Sequence, residues 1–437
     1  MALDGISSNG SDYIESAVEK GAVRVVCREG TAAGEFEGVC VIYTPDPFSW
    51  LLSAFKNEYS QVLSKVKLIG VTGTNGKTTT CYLISRAMTS LGINCAYIGT
   101  IGFYLKEKVR DLPNTSVDIA SLYELLLECC ENGFNYVALE ASSQGLDLGR
   151  FETVRFDVAV FTNLTEDHLD YHKTMENYAA AKRILFEKLK PEGLALLNSD
   201  DEAWKQFALP GVTNYTYGKH SYEDFSFSVS GSEYFYRGPG CGGSFKTKLI
   251  GEYNYYNLLA CIGVMKLFGI EDGQICAACA ALNAPEGRCE AIEYMGSRIV
   301  IDYAHTPDAM EKIIASARTF TKGNIYIVFG CTGDREREKR PVMTRIALEG
   351  SSFAVITVDD PHFEAAESIF RDMLSENPGD NYVVIEDRRE AIRKGISLLK
   401  EGDTLLILGK GHEKFINYGD RKVPHNDKEA VLEEICR

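Results

Sequence analysis

The sequence predicts an α/β chain of three domains, covering residues 1–66, 67–285 and 286–437. Two observations carry that prediction. From Val66 onward, short continuous apolar runs alternate with helix-length amphipathic stretches, the pattern of parallel strands covered on both faces. The alternation lapses between 215 and 249, where Gly, Ser, Tyr and Phe concentrate, and restarts near Arg288. The 437 residues agree with this, since a domain takes roughly 100–200 residues and each such unit can bury its own core.

In chain order, SDYIESAVEKG (11–21) reads as a helix, AVRVVC (22–27) and VCVIYT (39–44) as strands, and 48–63 as a helix leading into the second domain. There KLIGVTG, NCAYIGTIG, YVALEAS, DVAVFTN and GLALLNS read as strands, with TTTCYLISRAMTSL and LYELLLECCENG as helices between them. The stretch 215–249 reads as antiparallel strands in an excursion. In the third domain RIVIDYA, NIYIVFG, FAVITVD, YVVIED and TLLILGK read as strands of a second open α/β sheet.

A formal net charge of −16 argues against non-specific binding to nucleic acid or to anionic membranes, which needs a basic surface. A local nest of backbone amides can still hold a phosphate. No apolar run reaches the length of about eighteen residues that a membrane helix needs. Residues 1–10 lack a basic segment followed by an apolar one, so no signal peptide is expected. The 13 cysteines are odd in number and scattered through apolar segments, and Cys276 with Cys279 lacks a second pair or a nearby His. Small residues on one helix face explain that pair, and the expectation is a reduced, cytoplasmic protein.

Strand LIGV runs into TGTNGKTTT (72–80) and then into an amphipathic helix. Gly73 and Gly76 allow a tight turn with amides aimed at an anion. Lys77 offers a mobile positive charge to the outer phosphates of a nucleotide, Thr78 a hydroxyl for Mg²⁺, and the helix its positive end. Val71 stands where the general G-x4-G-K-[ST] rule has its first Gly. A plain Gly-rich turn with an exposed Lys is the bland alternative. Such a loop serves kinases, switch GTPases, motors and ligases alike.

Three polar groups follow. Glu140 closes the strand YVALE, His168 lies just past the strand DVAVF, and Lys182 lies in the helical ENYAAAKRILFEKL. Ligands of open α/β sheets bind at strand C-termini, and a carboxylate with an imidazole there could hold a divalent ion. Glu140 as an N-cap partner, and His168 with His172 as a polar helix face, are the competing readings.

Together, TGTNGKTTT, LEASS, FTNLTEDHLDYHKTMENYAAAK and GEYNYYNLLACIG resemble the Mur ligase family. EGRCE, IDYAHTPDAM, GCTGDREREKRPVM, VDDPHFE and LGKGHEKF resemble its tripeptide-forming branch, and the resemblance runs from about Gly70 to Glu413. It implies a three-domain Mur ligase-like architecture: a shortened N-terminal UDP-sugar-binding-like domain, a central P-loop domain and a Rossmann-like C-terminal domain that binds the amino acid. It also implies an ATP-dependent amide ligase of peptidoglycan synthesis. In such a ligase the terminal carboxylate of UDP-N-acetylmuramoyl-L-alanyl-D-glutamate attacks the γ-phosphate, and a free amino acid's amine then captures the acyl phosphate. The implied cofactors are ATP, two Mg²⁺ ions and a CO₂-derived carbamate on Lys182. A monomer is expected, with closure of the C-terminal domain on the central one.

Residue by residue, Gly73, Thr74, Asn75, Gly76, Lys77, Thr78 and Thr79 resemble the family's nucleotide loop, and Thr78, Glu140, His168 and Lys182 its metal ligands. Asn254, Asn257 and Arg288 resemble nucleotide-binding residues, and Asp302 and His305 residues that close over phosphates and ribose. Lys339 resembles the lysine that reaches the terminal phosphate, which with Lys77, His168 and Lys182 completes the catalytic set. Asp334, Arg335, Asp359, Asp360, His362, Gly409 and Glu413 fall in the motifs for the incoming amino acid. Thr115, Ser116, Ser142 and Arg150 stand where the muramyl peptide is held.

The chain departs from the family in several places. It has Asn114-Thr115-Ser116 for the common TTP, Gln144 where His is frequent, and Leu148 for Gln; an upstream DSR-type motif is missing. In Asp359-Asp360-Pro361-His362, His replaces the Arg usual in enzymes that use meso-diaminopimelate. An imidazole cannot form the bidentate fork to a distal carboxylate. The expected acceptor is therefore a diamino acid, L-lysine ahead of meso-diaminopimelate, with Glu364, Glu367 and Glu413 offering charge to its ammonium. A same-fold ligase with another carrier, and an inactive nucleotide-binding partner subunit, are the alternatives.

Overall fold

The structure, a computed structural model, describes residues 2, 9–219, 225–228, 231–238, 241–376 and 379–436. The remaining residues of 1–10 and of the 215–249 excursion fall outside it.

Near the N-terminus, strands Arg24–Arg28 and Cys40–Thr44 pair in parallel, and the long helix Pro47–Lys65 leads out of them. Asp46 starts that helix by accepting from the amides of Phe48 and Ser49, with Pro47 in its first turn.

The central sheet has eight strands, in the order Thr213–Tyr217, Leu189–Asn198, Phe156–Phe161, Lys67–Thr72, Tyr136–Glu140, Cys95–Gly99, Gly102–Tyr104, Lys108–Arg110. The first six run parallel. The central ones, Phe156–Phe161, Lys67–Thr72, Tyr136–Glu140 and Cys95–Gly99, are buried almost throughout because helices cover both faces. Helices Lys77–Ser90 and Glu252–Leu267 pack on one face. Ile119–Glu131 and Met175–Glu187 pack on the other. Leu122, Leu125, Leu126 and Cys129 form the buried stripe of Ile119–Glu131 at helical spacing, and each buried Leu stabilises by roughly 1.5–3 kcal/mol.

The apolar run NCAYIGTIG, read as one strand, divides in two and folds back. Gly102 makes that possible: its φ is +120°, and a Cβ there would lie 2.5 Å from the Arg110 carbonyl oxygen. Between the sheets, Phe225–Ser228, Gly231–Gly238 and Cys241–Thr247 form the antiparallel excursion, whose Tyr234 and Phe245 join the core beside Tyr255.

The C-terminal sheet has six strands, in the order Glu290–Tyr294, Ser297–Asp302, Thr404–Leu408, Ile325–Phe329, Phe353–Ile356, Tyr382–Val384. Only the first pairing is antiparallel. Helices Pro307–Phe320 and Lys339–Gly350 cover one face, and Arg388–Ser397 with Asp427–Ile435 the other. No described cysteine is in a disulfide, and no described helix is long and apolar enough to cross a membrane.

Topology places the site. Strands Tyr136–Glu140 and Phe156–Phe161 flank Lys67–Thr72, with Glu140 opposite Val71 and Phe161 opposite Thr72. The Gly-rich loop, the Glu140 carboxylate and the segment after Phe161 therefore leave the sheet at one edge. In the other sheet Asp302 stands opposite Leu408, so the residues after both strands also share an edge. Asn75 Nδ2 and Asp308 Oδ2, 2.8 Å apart, tie one edge to the other.

Candidate active site

The loop 73–76 ends at Gly76, whose φ of +86° opens helix Lys77–Ser90 without a side-chain cap, leaving the first amides of the helix to other partners. Gly73 has no room for a side chain, since a Cβ would lie 1.9 Å from Thr162 Oγ1. The segment after Phe161 braces the loop. Thr74 N donates to the Asn163 carbonyl at 2.9 Å, Asn75 N to Asn163 Oδ1 at 2.9 Å, and Thr162 Oγ1 to the Asn75 carbonyl at 2.7 Å. Lys77 Nζ folds back onto the carbonyls of Gly73 (2.9 Å) and Thr74 (2.8 Å). Burial pushes its ammonium down, and Glu140 and Asp167 pull it partly back.

Glu140 is buried at the head of its strand and fully engaged. Oε2 accepts from Thr78 Oγ1 (2.8 Å) and Thr100 Oγ1 (3.1 Å), and Oε1 from the Tyr97 hydroxyl (2.5 Å) and Thr100 N (2.8 Å). The N-cap alternative for Glu140 is therefore displaced: Ser142 caps Ser143–Asp147. Ser116 Oγ donates to the Glu140 carbonyl (2.9 Å) and receives Ser142 N (3.0 Å), Arg150 reaches the Ser116 carbonyl, and Thr115 Oγ1 is 3.0 Å from Thr100 Oγ1. Those four residues thus gather beside Glu140. Of them, Ser116 is almost wholly enclosed and spends its hydroxyl on the backbone.

His168 sits at the N-cap of Leu169–His172 with φ +55°, its Nε2 3.5 Å from Asp167 Oδ2, and burial lowers its pKa. Its ring and that of His172 both lie against Tyr178, and His172 is buried and bonded to Ser143 Oγ at 2.9 Å, so the pair does not form an exposed polar face. Lys182 is buried, its Nζ 2.9 Å from the Gly73 carbonyl and 3.9 Å above the Tyr178 ring. Burial, and then the charge of Lys77, push this amine well below the ordinary lysine range.

From the C-terminal side, Arg288 lies 4.4 Å over the Tyr303 ring with Nη2 3.4 Å from Thr78 Oγ1. Asp302 accepts from the amides of Cys289 (2.7 Å) and Ala304 (2.8 Å), and burial raises its pKa. His305 Nδ1 is 2.7 Å from the Tyr303 carbonyl, and burial pushes its pKa down to about 4, so the ring is neutral at pH 7 with Nε2 free to accept. Asn75, Gly76, Asn257, Arg288, Asp302 and His305 line a cavity of about 630 Å³ between the two sheets, as does Thr79. Asn254 does not line it. Its amide holds the Ile250 carbonyl and Asn257, so it sets Asn257 from behind.

Asp167 is the residue that sequence reading passed over. Burial would raise its carboxyl, but the charges of His168, His305, Lys77 and Lys339 outweigh this and hold it below its usual range. Lys339, first residue of Lys339–Gly350, thus acts on the same carboxylate as Lys77 although they come from different sheets. The TEDH tetrapeptide was the available signal.

The amino-acid motifs meet nearby. Asp334 and His362 both adopt left-handed φ, +53° and +52°, and Phe363 N donates to Asp334 Oδ2 at 3.0 Å. Arg335 is exposed, with Asp170 3.9 Å away. Gly409, at φ +107°, lets Asp359 approach: a Cβ would lie 2.2 Å from its Oδ2. His362 Nδ1 is 3.1 Å from Asn417 Nδ2, and Gly419 N on Asn417 Oδ1 (3.0 Å) fixes the amide's orientation, so the imidazole nitrogen accepts. The glutamates expected to receive a distal ammonium differ in their partners. Glu364 is held by Arg340 (2.7 Å) and Arg337 (2.8 Å), Glu413 pairs with Lys410, and Glu367 is exposed on the first turn of Ala366–Met373.

Residues 71–265 match the Mur ligase middle domain and residues 287–411 the Mur ligase, glutamate ligase domain. A Clostridium acetobutylicum protein named UDP-N-acetylmuramoyl-L-alanyl-D-glutamate–2,6-diaminopimelate ligase 1 is 36% identical over 444 aligned positions, covering 100% of this chain and 91% of that protein. The Aquifex aeolicus ligase of the same name, without the numeral, is 38% identical over 440 positions, covering 99% and 90%. A solved structure with that ligase name superposes with a TM-score of 0.67 at 31% identity, covering 98% of this chain and 89% of its own. A Thermotoga maritima MurF ligase solved with ADP shares the fold, at a TM-score of 0.72 and 19% identity, over 99% of this chain and 93% of its own. The chain belongs to the Mur ligase family and is one of its ATP-dependent, amide-forming enzymes.

Proposed function

We propose that the chain joins UDP-N-acetylmuramoyl-L-alanyl-D-glutamate to a diamino acid through an acyl phosphate, as the third step in building the peptidoglycan stem. The observation that carries this reading is the approach of two lysines from different sheets, Lys77 and Lys339, to Asp167, with Glu140 of the Thr78–Glu140 pair also acting on Lys77. A carboxylate and a triphosphate repel strongly, and only a preorganised focus of positive charge lets one attack the other.

In this reading Lys77 and Lys339 receive the transferring phosphate from its two sides, while Arg288, Asn257, Asp302 and His305 hold the nucleotide in the cavity. Thr115, Ser142 and Arg150 hold the muramyl peptide, its carboxylate directed at the loop, with Ser116 bracing them from behind. The donors present fit Mg²⁺: a threonine hydroxyl and a carboxylate oxygen 2.8 Å apart are hard oxygen ligands. Thr78 and Glu140 would hold one ion, and His168 with a carbamate on Lys182 a second; bound there, the ions would offset phosphate charge. The uncharged amine is the form that reacts with CO₂, and burial shifts Lys182 toward it, which supports Lys182 as the carbamate site.

For the acceptor we propose L-lysine ahead of meso-diaminopimelate. The support is His362, whose Nδ1 accepts from Asn417 and so brings no fixed positive charge to a distal carboxylate. The relatives' names carry 2,6-diaminopimelate instead. A screen of purified protein with ATP, Mg²⁺, the UDP-dipeptide and single amino acids decides. ADP release is expected only when dipeptide and amino acid are both present. L-Lysine is expected to exceed meso-diaminopimelate in kcat/KM by about tenfold, equivalent to roughly 1.4 kcal/mol. Equal or better use of meso-diaminopimelate overturns the lysine preference, and ADP release at full rate without dipeptide overturns the ligase reading.

A further inference from the structure

One buried ammonium lies among three carboxylates of the amino-acid motifs. Lys410 has a side-chain exposure of 0%, with Nζ 2.7 Å from Asp360 Oδ1, 3.8 Å from Asp359 Oδ1 and in contact with Glu413. Oxygens of these three acids lie within 4.8 Å of one another, a spacing that strong mutual repulsion would break without a central cation. Burial would lower the lysine, but the Asp359, Glu413 and Asp360 charges outweigh it and keep it protonated.

The cluster is rigidly mounted. Asp359 and Asp360 follow strand Phe353–Ile356, and Lys410 and Glu413 follow Thr404–Leu408. Asp360 Oδ1 also accepts Asn417 N at 2.7 Å, and Glu413 Oε1 the Tyr303 hydroxyl at 3.4 Å. Exposure is graded across it: 25% for the Glu413 side chain, 15% for Asp360 and 6% for Asp359. Solvent thus meets the outer edges of Asp360 and Glu413, while Lys410 backs them from inside.

We propose that Lys410 is a positioning residue for the amine acceptor: from behind, it orients the Asp360 and Glu413 carboxylates so that their outer edges receive the acceptor's ammonium, and it cancels one of the three negative charges. This rests on the ligase reading above. Because Lys410 acts on the acceptor pocket and not on the phosphate focus, its loss separates the two half-reactions. Hydroxylamine traps an acyl phosphate as a hydroxamate without using the acceptor pocket.

The test compares wild type, Lys410→Met and Lys410→Arg in two assays: amino-acid ligation, and hydroxamate formation from ATP, Mg²⁺, UDP-dipeptide and hydroxylamine. For Lys410→Met the amino-acid KM is expected to rise by about 30-fold or more, with hydroxamate formation and the KM for ATP within about threefold of wild type. Lys410→Arg, which keeps the charge, is expected to lose less than about tenfold in amino-acid KM. An unchanged amino-acid KM in Lys410→Met, or parallel loss of both assays in both variants, overturns the proposal. Absence of hydroxamate from the wild type overturns the ligase reading itself.

Discussion

Replacing Lys77 by alanine is expected to lower kcat by on the order of 10³-fold, about 4 kcal/mol of transition-state stabilisation, in a protein that remains folded. The fold survives because the loop keeps other anchors when the Lys77 contacts to Gly73 and Thr74 are lost. Thr74 and Asn75 are anchored by Asn163, Thr162 and Thr165, and the helix beyond Lys77 is buried through Cys81, Leu83 and Ile84. Turnover is lost because Lys77 is the loop's own cation at the Asp167 focus. Steady-state ADP release, with thermal unfolding as the control for folding, measures it. A kcat within a few-fold of wild type would show that the phosphate is not bound at this loop.

The second large effect is expected at Lys182. Its Nζ touches the Gly73 carbonyl and faces the like charge of Lys77, so as a plain ammonium it would add repulsion at the floor of the loop. A carbamate reverses the sign of that side chain and supplies oxygens. Lys182→Ala is expected to lower kcat by roughly 100-fold, the usual cost of removing a group that supports a metal ligand set, with part of the activity restored by added formate or acetate. A ¹³C carbamate resonance from wild type under ¹³CO₂, absent in Lys182→Ala, is the matching spectroscopic result. A variant of full activity, insensitive to small carboxylates, would leave Lys182 as a packing residue over Tyr178.

The sequence made the two sheets legible because parallel strands buried on both faces read as unbroken apolar runs. The Gly-rich loop was legible because its glycines are required by local geometry, Gly76 by its φ and Gly73 by contact with Thr162. The shortest charged strands were not. Lys108–Arg110, and the hairpin Phe415–Asn417 with Lys422–Pro424, are three residues each and carry charged or exposed positions, so no periodicity develops.

Among site residues, Glu140 and His168 stand at strand ends and could be singled out, whereas the weight of Asp167 comes from Lys339 and His305, which the chain brings in from the other sheet. Charge was the least legible quantity. Glu364 looks available in the sequence, yet Arg340 and Arg337 consume it in space, and this removes part of the support for L-lysine; Glu413 keeps an exposed edge beside Lys410. What remains of that preference is the orientation of one imidazole, set by Asn417 and Gly419 of a hairpin that the apolar pattern does not reveal.

The most direct test is oxygen transfer. With the glutamyl carboxylate of the UDP-dipeptide labelled with ¹⁸O, attack on the γ-phosphate and capture of the acyl phosphate by the amine must leave one labelled oxygen in each phosphate released. Phosphate carrying that label is the predicted result; unlabelled phosphate accompanying full amide formation would contradict it.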